Sequence, residues 1–287
     1  MNGHLTKLVA AFALLGLTLG TAACGSDLGG GGREGDVTTA AAEGEASGEL
    51  VISNWPFYID KETIPNFEEE SGLKVDYTED VNDNNEFFAK VQPELQNGGS
   101  GGTDIFVVTD WMAEKMYDLN YLQNFDKSAI PNVEANLVPN LESPSFDPER
   151  NFSAPWQSGM TGLIVNKDLA PDITSIEDIF DPKYKGEIEV LTELRDTVPL
   201  VMKSEGVDVE SATTEDWLAA IDKLGEAIDS GQIVDFTGNE YTADLARGGV
   251  AAVVGWGGAA GRPSLIGRGP RPVKAAARRC AVGCAEP

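Results

Sequence analysis

The chain has 287 residues, with 47 acidic and 21 basic side chains and a formal charge of −26. So acidic a balance excludes nucleic-acid binding, because affinity for phosphate is supplied by Lys and Arg. It admits a cationic ligand, or simply an acidic surface that keeps the protein soluble.

His4, the single histidine, lies in the leader. That removes histidine acid–base catalysis, histidine metal sites and a Ser-His-Asp triad from the mature protein. Residues 1–7 are mildly basic, and residues 8–23 (LVAAFALLGLTLGTAA) are apolar and end in small residues. The run is shorter than the roughly 20 residues of a comfortable membrane span and has the layout of a secretory signal peptide. Cys24 follows directly, as the lipidated cysteine does in a bacterial lipobox, although Thr21 stands where such a motif usually has Leu. Lipidation of Cys24 is therefore expected; plain secretion is the simpler alternative. Residues 24–48 are mostly Gly, Ala and Glu. They have too little apolar bulk to offset the entropy of ordering and read as a flexible tether.

The body opens on an apolar run, residues 50–58 (LVISNWPFY), with an echo at residues 251–256 (AAVVGW). Each is of strand type and leads to a tryptophan. A ring at the C-terminal end of a strand stands where open α/β sheets bind ligands, so two such edges suit two walls of a cleft. A strand at residues 49–54 is followed by Asp60, which caps a helix over 61–71 with Ile64 and Phe67 on one face. Pro65 lets regular helix begin only there, and Gly72 stops it. Alternation over 73–77 marks a half-buried strand. Residues 84–95 form a helix with Phe87, Phe88 and Val91 inward, kinked or shortened by Pro93. Residues 98–102 are a loop, and 104–108 (DIFVV) a buried parallel strand. Asp110 then caps a helix carrying Trp111, Met112, Met116 and Leu119. This alternation predicts a parallel sheet with helices on both faces.

Residues 123–151, rich in Pro and Asn, read as a connecting segment. Residues 153–166 (SAPWQSGMTGLIVN) are an extended crossing strand, 175–180 a short helix, 187–192 a strand and 193–203 a helix. Residues 213–230 are the clearest amphipathic helix, with Trp217, Leu218, Ile221, Leu224 and Ile228 recurring along one face. A strand at 233–236, a helix at 240–247 and a strand at 250–254 complete a second α/β unit.

After Trp256 the character changes. Residues 258–287 carry Arg262, Arg268, Arg271, Lys274, Arg278 and Arg279 against one acid, Glu286, amid Gly, Ala and Pro. GC-rich coding DNA read out of frame yields this composition, so the tail is expected to be a frameshift product; a native basic tail for anionic lipid is the alternative. Cys280 and Cys284 have no further ligand nearby to make a metal pair. With Cys24 they are the only cysteines, so no disulfide framework holds the body.

Four places could carry chemistry. Trp55 and Tyr58 offer ring faces, each of which attracts a cation by about 0.5–2 kcal/mol; packing in the core is an even alternative for Trp55. Thr109, Asp110 and Trp111 follow a buried strand, although Asp110 is more simply a helix cap. Glu193 and Asp196 share a face of a first helical turn, where acids also occur for dipole reasons. Thr237, Gly238 and Asn239, with Trp256, follow strands of the second unit, where a turn and a packing residue are the plainer reading.

The ordered segments NWPFYI, SGLKVDY, DIFVVTDWMAEKM, SAPWQSGMTGLIVN, LTELRD and VAAVVGW resemble the periplasmic spermidine/putrescine-binding proteins of ABC transporters, over residues 50–257. The resemblance implies an α/β, two-lobed periplasmic-binding-protein (type II) fold, incomplete at the C-terminus. Residues 49–152 would be the first lobe, residues 153–257 the second, and residues 258–287 a disordered tail outside the family pattern. It implies that Trp55 and Tyr58 flank a polyamine, that Thr109 is a polar contact and that Trp111 stacks. Glu193 and Asp196 match an Asp-x-Arg-Glu pattern, acids exchanged, that holds an ammonium. Thr237 lies near a hydroxyl contact, and Trp256 is a cleft tryptophan.

By the same resemblance the protein is a monomeric, non-enzymatic binding protein without cofactor. It would capture spermidine or putrescine for the permease subunits of an ABC importer, held at the membrane by lipidated Cys24. Relatives continue past Gly257 through a further acid and more aromatics that are not recognisable here, so weak binding is expected. The alternatives are a binding protein of the same fold for another small solute, and an envelope glycoside hydrolase using Glu193 and Asp196, which fits paired-carboxylate geometry poorly.

Overall fold

A computed structural model describes residues 48–257. The leader, Cys24, the tether before residue 48, and the basic tail with Cys280 and Cys284 lie outside the described residues.

Two sheets carry the architecture. The first, of order β2-β1-β3, is all parallel and is built from β1 (Glu49–Asn54), β2 (Lys74–Glu79) and β3 (Ile105–Phe106). Helices α1 (Thr63–Ser71), α2 (Asn84–Gln96) and α3 (Asp110–Asp118) follow these strands in turn, and the short α4 (Pro131–Asn136) lies in the connecting stretch. The second sheet, of order β4-β7-β5-β6, contains β4 (Thr161–Val165), β5 (Ile188–Leu191), β6 (Ile233–Thr237) and β7 (Ala252–Trp256). Here β4 runs antiparallel to β7, while β5 is parallel to both β6 and β7. Helices α5 (Leu194–Ser204), α6 (Thr214–Asp229) and α7 (Tyr241–Arg247) connect its strands.

Local chemistry accounts for most boundaries. Gly72 takes a left-handed φ of 75° and returns its N–H to the Glu68 carbonyl, ending α1. The Asp83 carboxylate accepts from the Asn85 and Glu86 amides at the head of α2. Thr213 and Asp216 form a reciprocal capping box on α6. Each cap contributes about 1 kcal/mol.

Several expectations need correction. Pro93 neither shortens nor breaks α2, which runs on to Gln96. Its ring costs about 3 kcal/mol, but Phe87, Phe88, Val91 and Leu95 are all buried on the same helix, at about 1.5–3 kcal/mol each. Helix α1 buries no residue, and Phe67 remains 40% exposed. The strand expected over 104–108 is reduced to Ile105–Phe106, the two residues that pair with β1. The extended stretch at 153–166 is strand only over Thr161–Val165. On α6, the residues buried are Ala220, Leu224 and Ala227, while Leu218, Ile221 and Ile228 point outward. Of the expected stripe, Leu224 is buried and Trp217 packs against the same cluster.

Three apolar clusters fill the structure. One joins Ile52, Trp55, Phe87, Phe88 and Met112 around the first sheet. The second sheet has a cluster on each face. Ile188 and Val190 of β5 meet Val198, Val201 and Leu224 on one side. Leu191 meets Tyr241, Leu245 and Val253 on the other. Tyr241 presses so closely on β7 that a Cβ at Gly255 would lie 2.9 Å from its ring.

The alternation along β5 turns Glu189 to the α7 side, where it is 6% exposed and its Oε2 has no hydrogen-bond partner. Burial, with Asp244, Asp235 and Glu240 nearby and Arg247 opposing them, pushes its carboxyl from 4.5 up to about 7. The folded state therefore binds this proton more tightly than the unfolded chain. Stability from this site is fully present below pH 4.5 and is lost as pH rises through about 7. Glu189→Gln is expected to stabilise the protein by about 1–3 kcal/mol at pH 8. The gain should shrink to nothing near pH 4.5, a trend measured by thermal unfolding across that range; equal gains at both ends would refute it.

Candidate ligand-binding site

The residues singled out from the sequence gather at the C-terminal ends of strands. Trp55 and Tyr58 follow β1, Thr109 and Trp111 follow β3, Glu193 and Asp196 follow β5, Thr237 ends β6 and Trp256 ends β7. Since β1 to β3 belong to one sheet and β5 to β7 to the other, the two sheets meet at these ends.

There an open cavity of about 1450 Å³, walled also by the connecting stretch, is lined by Trp55, Tyr58, Thr109, Asp196 and Trp256 among others. The aromatic wall is continuous from one sheet to the other. Trp55 and Tyr58 stack with ring centroids 6.1 Å apart, and Trp55 meets Trp256 edge-on at 5.4 Å. Trp55 is only 3% exposed, so it both packs in the first cluster and borders the cavity. The turn that carries it places Phe57 at a φ of 69°, a conformation rare for a bulky residue, held by a bond from its amide to Glu79 Oε1.

Asp196 faces the cavity, where its Oδ2 accepts from Trp256 Nε1 at 2.7 Å. Burial raises its carboxyl above the ordinary value, against the lowering effect of Trp256 and Thr161. Glu193 does not share that position. As the N-cap of α5 it must fold back to accept from the Arg195 amide at 3.1 Å. Its other oxygen accepts from Asn84 Nδ2 at 2.9 Å and Trp111 Nε1 at 3.2 Å. Burial pushes its carboxyl up as well. Trp111 is thus occupied on its edge by Glu193 and on its face by the Arg195 guanidinium, 4.1 Å from the ring centre. Trp111, Glu193 and Thr237 are not part of the cavity lining. Thr237 is buried with its hydroxyl unpartnered, as is the Thr109 hydroxyl.

Sequence reasoning missed four contributors. Asn84, 1% exposed, holds Glu193 and also accepts from the Thr109 amide at 3.1 Å. Trp156 lines the cavity and donates from its indole to the Tyr58 carbonyl at 2.8 Å. Thr161 is paired with Trp256 across the antiparallel strands. Tyr241 clasps Trp256 by accepting from its amide at 3.0 Å while donating to its carbonyl at 3.2 Å. Tyr241 had a local signal as an aromatic opening α7, and Trp156 and Thr161 lay within the segment 153–166. Among the described residues no group of three or more His, Cys, Asp or Glu is placed to hold a metal ion.

The family profile of the bacterial extracellular solute-binding proteins matches residues 62–275. The chain belongs to the bacterial extracellular solute-binding proteins. This solute-binding protein is 27% identical over 187 residues to the spermidine/putrescine-binding periplasmic protein of Escherichia coli (strain K12), a match covering 64% of the chain and 52% of that relative. It is 30% identical over 246 residues to the putrescine-binding periplasmic protein of the same strain, covering 77% and 61%. Among solved structures, a provisionally assigned spermidine/putrescine ABC transporter from Listeria monocytogenes matches with a TM-score of 0.64 at 30% identity, over 75% of this chain and 65% of that one. The chain therefore spans about half the length of the first relative. The two sheets are those of the two-lobed α/β fold expected from the sequence. The family match continues to residue 275, past Gly257, where the change in composition had set the end of the family pattern.

Proposed function

We propose that this solute-binding protein captures a linear polyamine, spermidine or putrescine, outside the cytoplasm and delivers it to the permease subunits of an ABC importer. The observation that carries the reading is the convergence of the Asp196 carboxylate with the Trp55, Tyr58 and Trp256 rings on one cavity between the sheets. Rings suit a methylene chain and attract its ammonium ends, and a buried carboxylate suits an ammonium directly. Thr109 borders the same wall, with its hydroxyl buried and unpartnered. The names of the two Escherichia coli relatives support the same solute class.

In this reading residues 49–152 and 153–257 are the lobes and the protein acts as a monomer that binds without catalysing. Cys24 carries the lipid that anchors it after removal of residues 1–23, with residues 24–48 as tether. Trp111, Glu193 and Thr237 serve the site from behind the wall. A hydrolase acting through Glu193 and Asp196 would need both carboxylates at one bond, whereas Glu193 turns back onto its own helix.

Isothermal titration of this chain with spermidine, putrescine and a neutral sugar tests the proposal. Saturable uptake of a polyamine that weakens with added salt is the expected result, and its affinity also decides whether binding is as weak as the sequence suggests. Preference for the sugar, or no heat with either amine, would overturn it.

A further inference from the structure

Apart from the aromatic wall and the bonds of Asn84 and Trp111 to Glu193, the lobes also meet at a turn of the second sheet. Asn82, in the loop between β2 and α2, reaches the turn between β6 and α7. The Asn239 amide donates to Asn82 Oδ1 at 3.0 Å, and Asn82 Nδ2 donates to the Glu240 carboxylate. Glu240 in turn accepts from the Gly238 amide at 2.9 Å. A Cβ at Gly238 would lie 2.3 Å from the Asn82 carbonyl oxygen, 2.3 Å from its Oδ1 and 2.5 Å from its Cγ. No real Cβ contact is that short, and one of the obstructing atoms is backbone.

Gly238 is not among the glycines with positive φ. Its φ does not call for glycine, and the three atoms nearest an added Cβ all belong to Asn82. The requirement comes from Asn82 of the other lobe, 156 residues earlier in the chain, a separation one short of the 157 between Asn82 and Asn239. The obstruction by Asn82 exists only in the state in which the lobes meet.

We propose that Asn82 and Gly238 form a closure latch: bare backbone at Gly238 is the seat on which Asn82 docks, and docking holds the lobes in the arrangement that brings the cavity walls together. Both are positioning residues. Asn239 lines the cavity, so the latch reports directly to the site. Its value for solute capture rests on the function proposed above; its effect on lobe contact does not.

Because the Asn239 amide is held by a side chain of the other lobe, its hydrogen exchange reads closure. In the full chain this amide is expected to be protected, and more so with spermidine present. Asn82→Ala should speed its exchange about five- to tenfold while amides of β7 keep their protection. Gly238→Ala should do the same, remove the slowing by spermidine, and weaken spermidine binding about tenfold. Equal Asn239 exchange in wild type and Asn82→Ala would overturn the latch. If Gly238→Ala also unprotects β7, it has misfolded, and Asn82→Ala alone decides. Faster Asn239 exchange in Asn82→Ala, with no spermidine binding by any form, would uphold the latch and refute the solute.

Discussion

Asp196→Asn is expected to lower polyamine affinity by about two to three and a half decades, the equivalent of the roughly 3–5 kcal/mol lost when a buried charge loses its partner. The fold should survive the change. The Asn carbonyl oxygen can take the place of Oδ2, which accepts from Trp256 Nε1, so the aromatic wall keeps its anchor and only the charge goes. A thermal midpoint near that of the wild type, with affinity lost, is the pattern expected from calorimetry and unfolding together. Affinity within about threefold of wild type, below roughly 0.7 kcal/mol, would remove Asp196 from the site.

The pH dependence carries the same signature. Burial holds the unliganded Asp196 carboxyl above its ordinary value of 3.8, whereas a bound ammonium would favour the ionised form. Affinity is therefore complete above the raised value and is lost as pH falls through it, earlier than for an exposed aspartate. In Asp196→Asn this part of the profile should be flat.

Glu193→Ala should act on stability. The carboxylate accepts from Asn84, Trp111 and the Arg195 amide, and alanine would leave the first two donors buried without an acceptor and α5 without its cap. Three such losses sum to more than the cost of keeping a buried charge, which the upward shift of its pKa reveals. The net expectation is a loss of about 2–4 kcal/mol, or about 5–15 °C in Tm for a chain of this size. Glu193→Gln keeps the acceptor facing Asn84 and Trp111 but turns an amide donor toward the Arg195 N–H, so it should fall between alanine and wild type. Were alanine as stable as wild type, these bonds would not be coupling the two lobes.

Much of the fold was legible in the sequence because its signals are local. The strand at Glu49–Asn54 is read from its apolar run. The stop at Gly72 and the helix starts near Asn84 and Thr213 were legible; the Asp83 cap and the Thr213–Asp216 box behind those starts, seen in the structure, are likewise local chemistry within four residues. The candidate site was legible in part for a related reason. Rings and acids placed just after strands must sit at the C-terminal edge of a sheet, wherever the sheet itself lies. What one turn of helix cannot reveal is direction. Glu193 and Asp196 are three residues apart, yet one is drawn back to cap its helix while the other faces the cavity. Likewise, of the stripe expected on α6, Leu224 and Trp217 reach the core while Leu218, Ile221 and Ile228 stay outside, because the approach of its neighbours decides which part of a stripe is covered.

By itself, then, the sequence determined the order of strands and helices, most of their ends, and the kinds of side chain at the strand tips. The tertiary structure alone decided that Asn84 meets Glu193 across 109 residues and that Asn82 meets Asn239 across 157. Hydrogen-bond partners so distant leave no periodicity along the chain. They are selected only where the two sheets meet and every buried donor must find an acceptor on the facing surface.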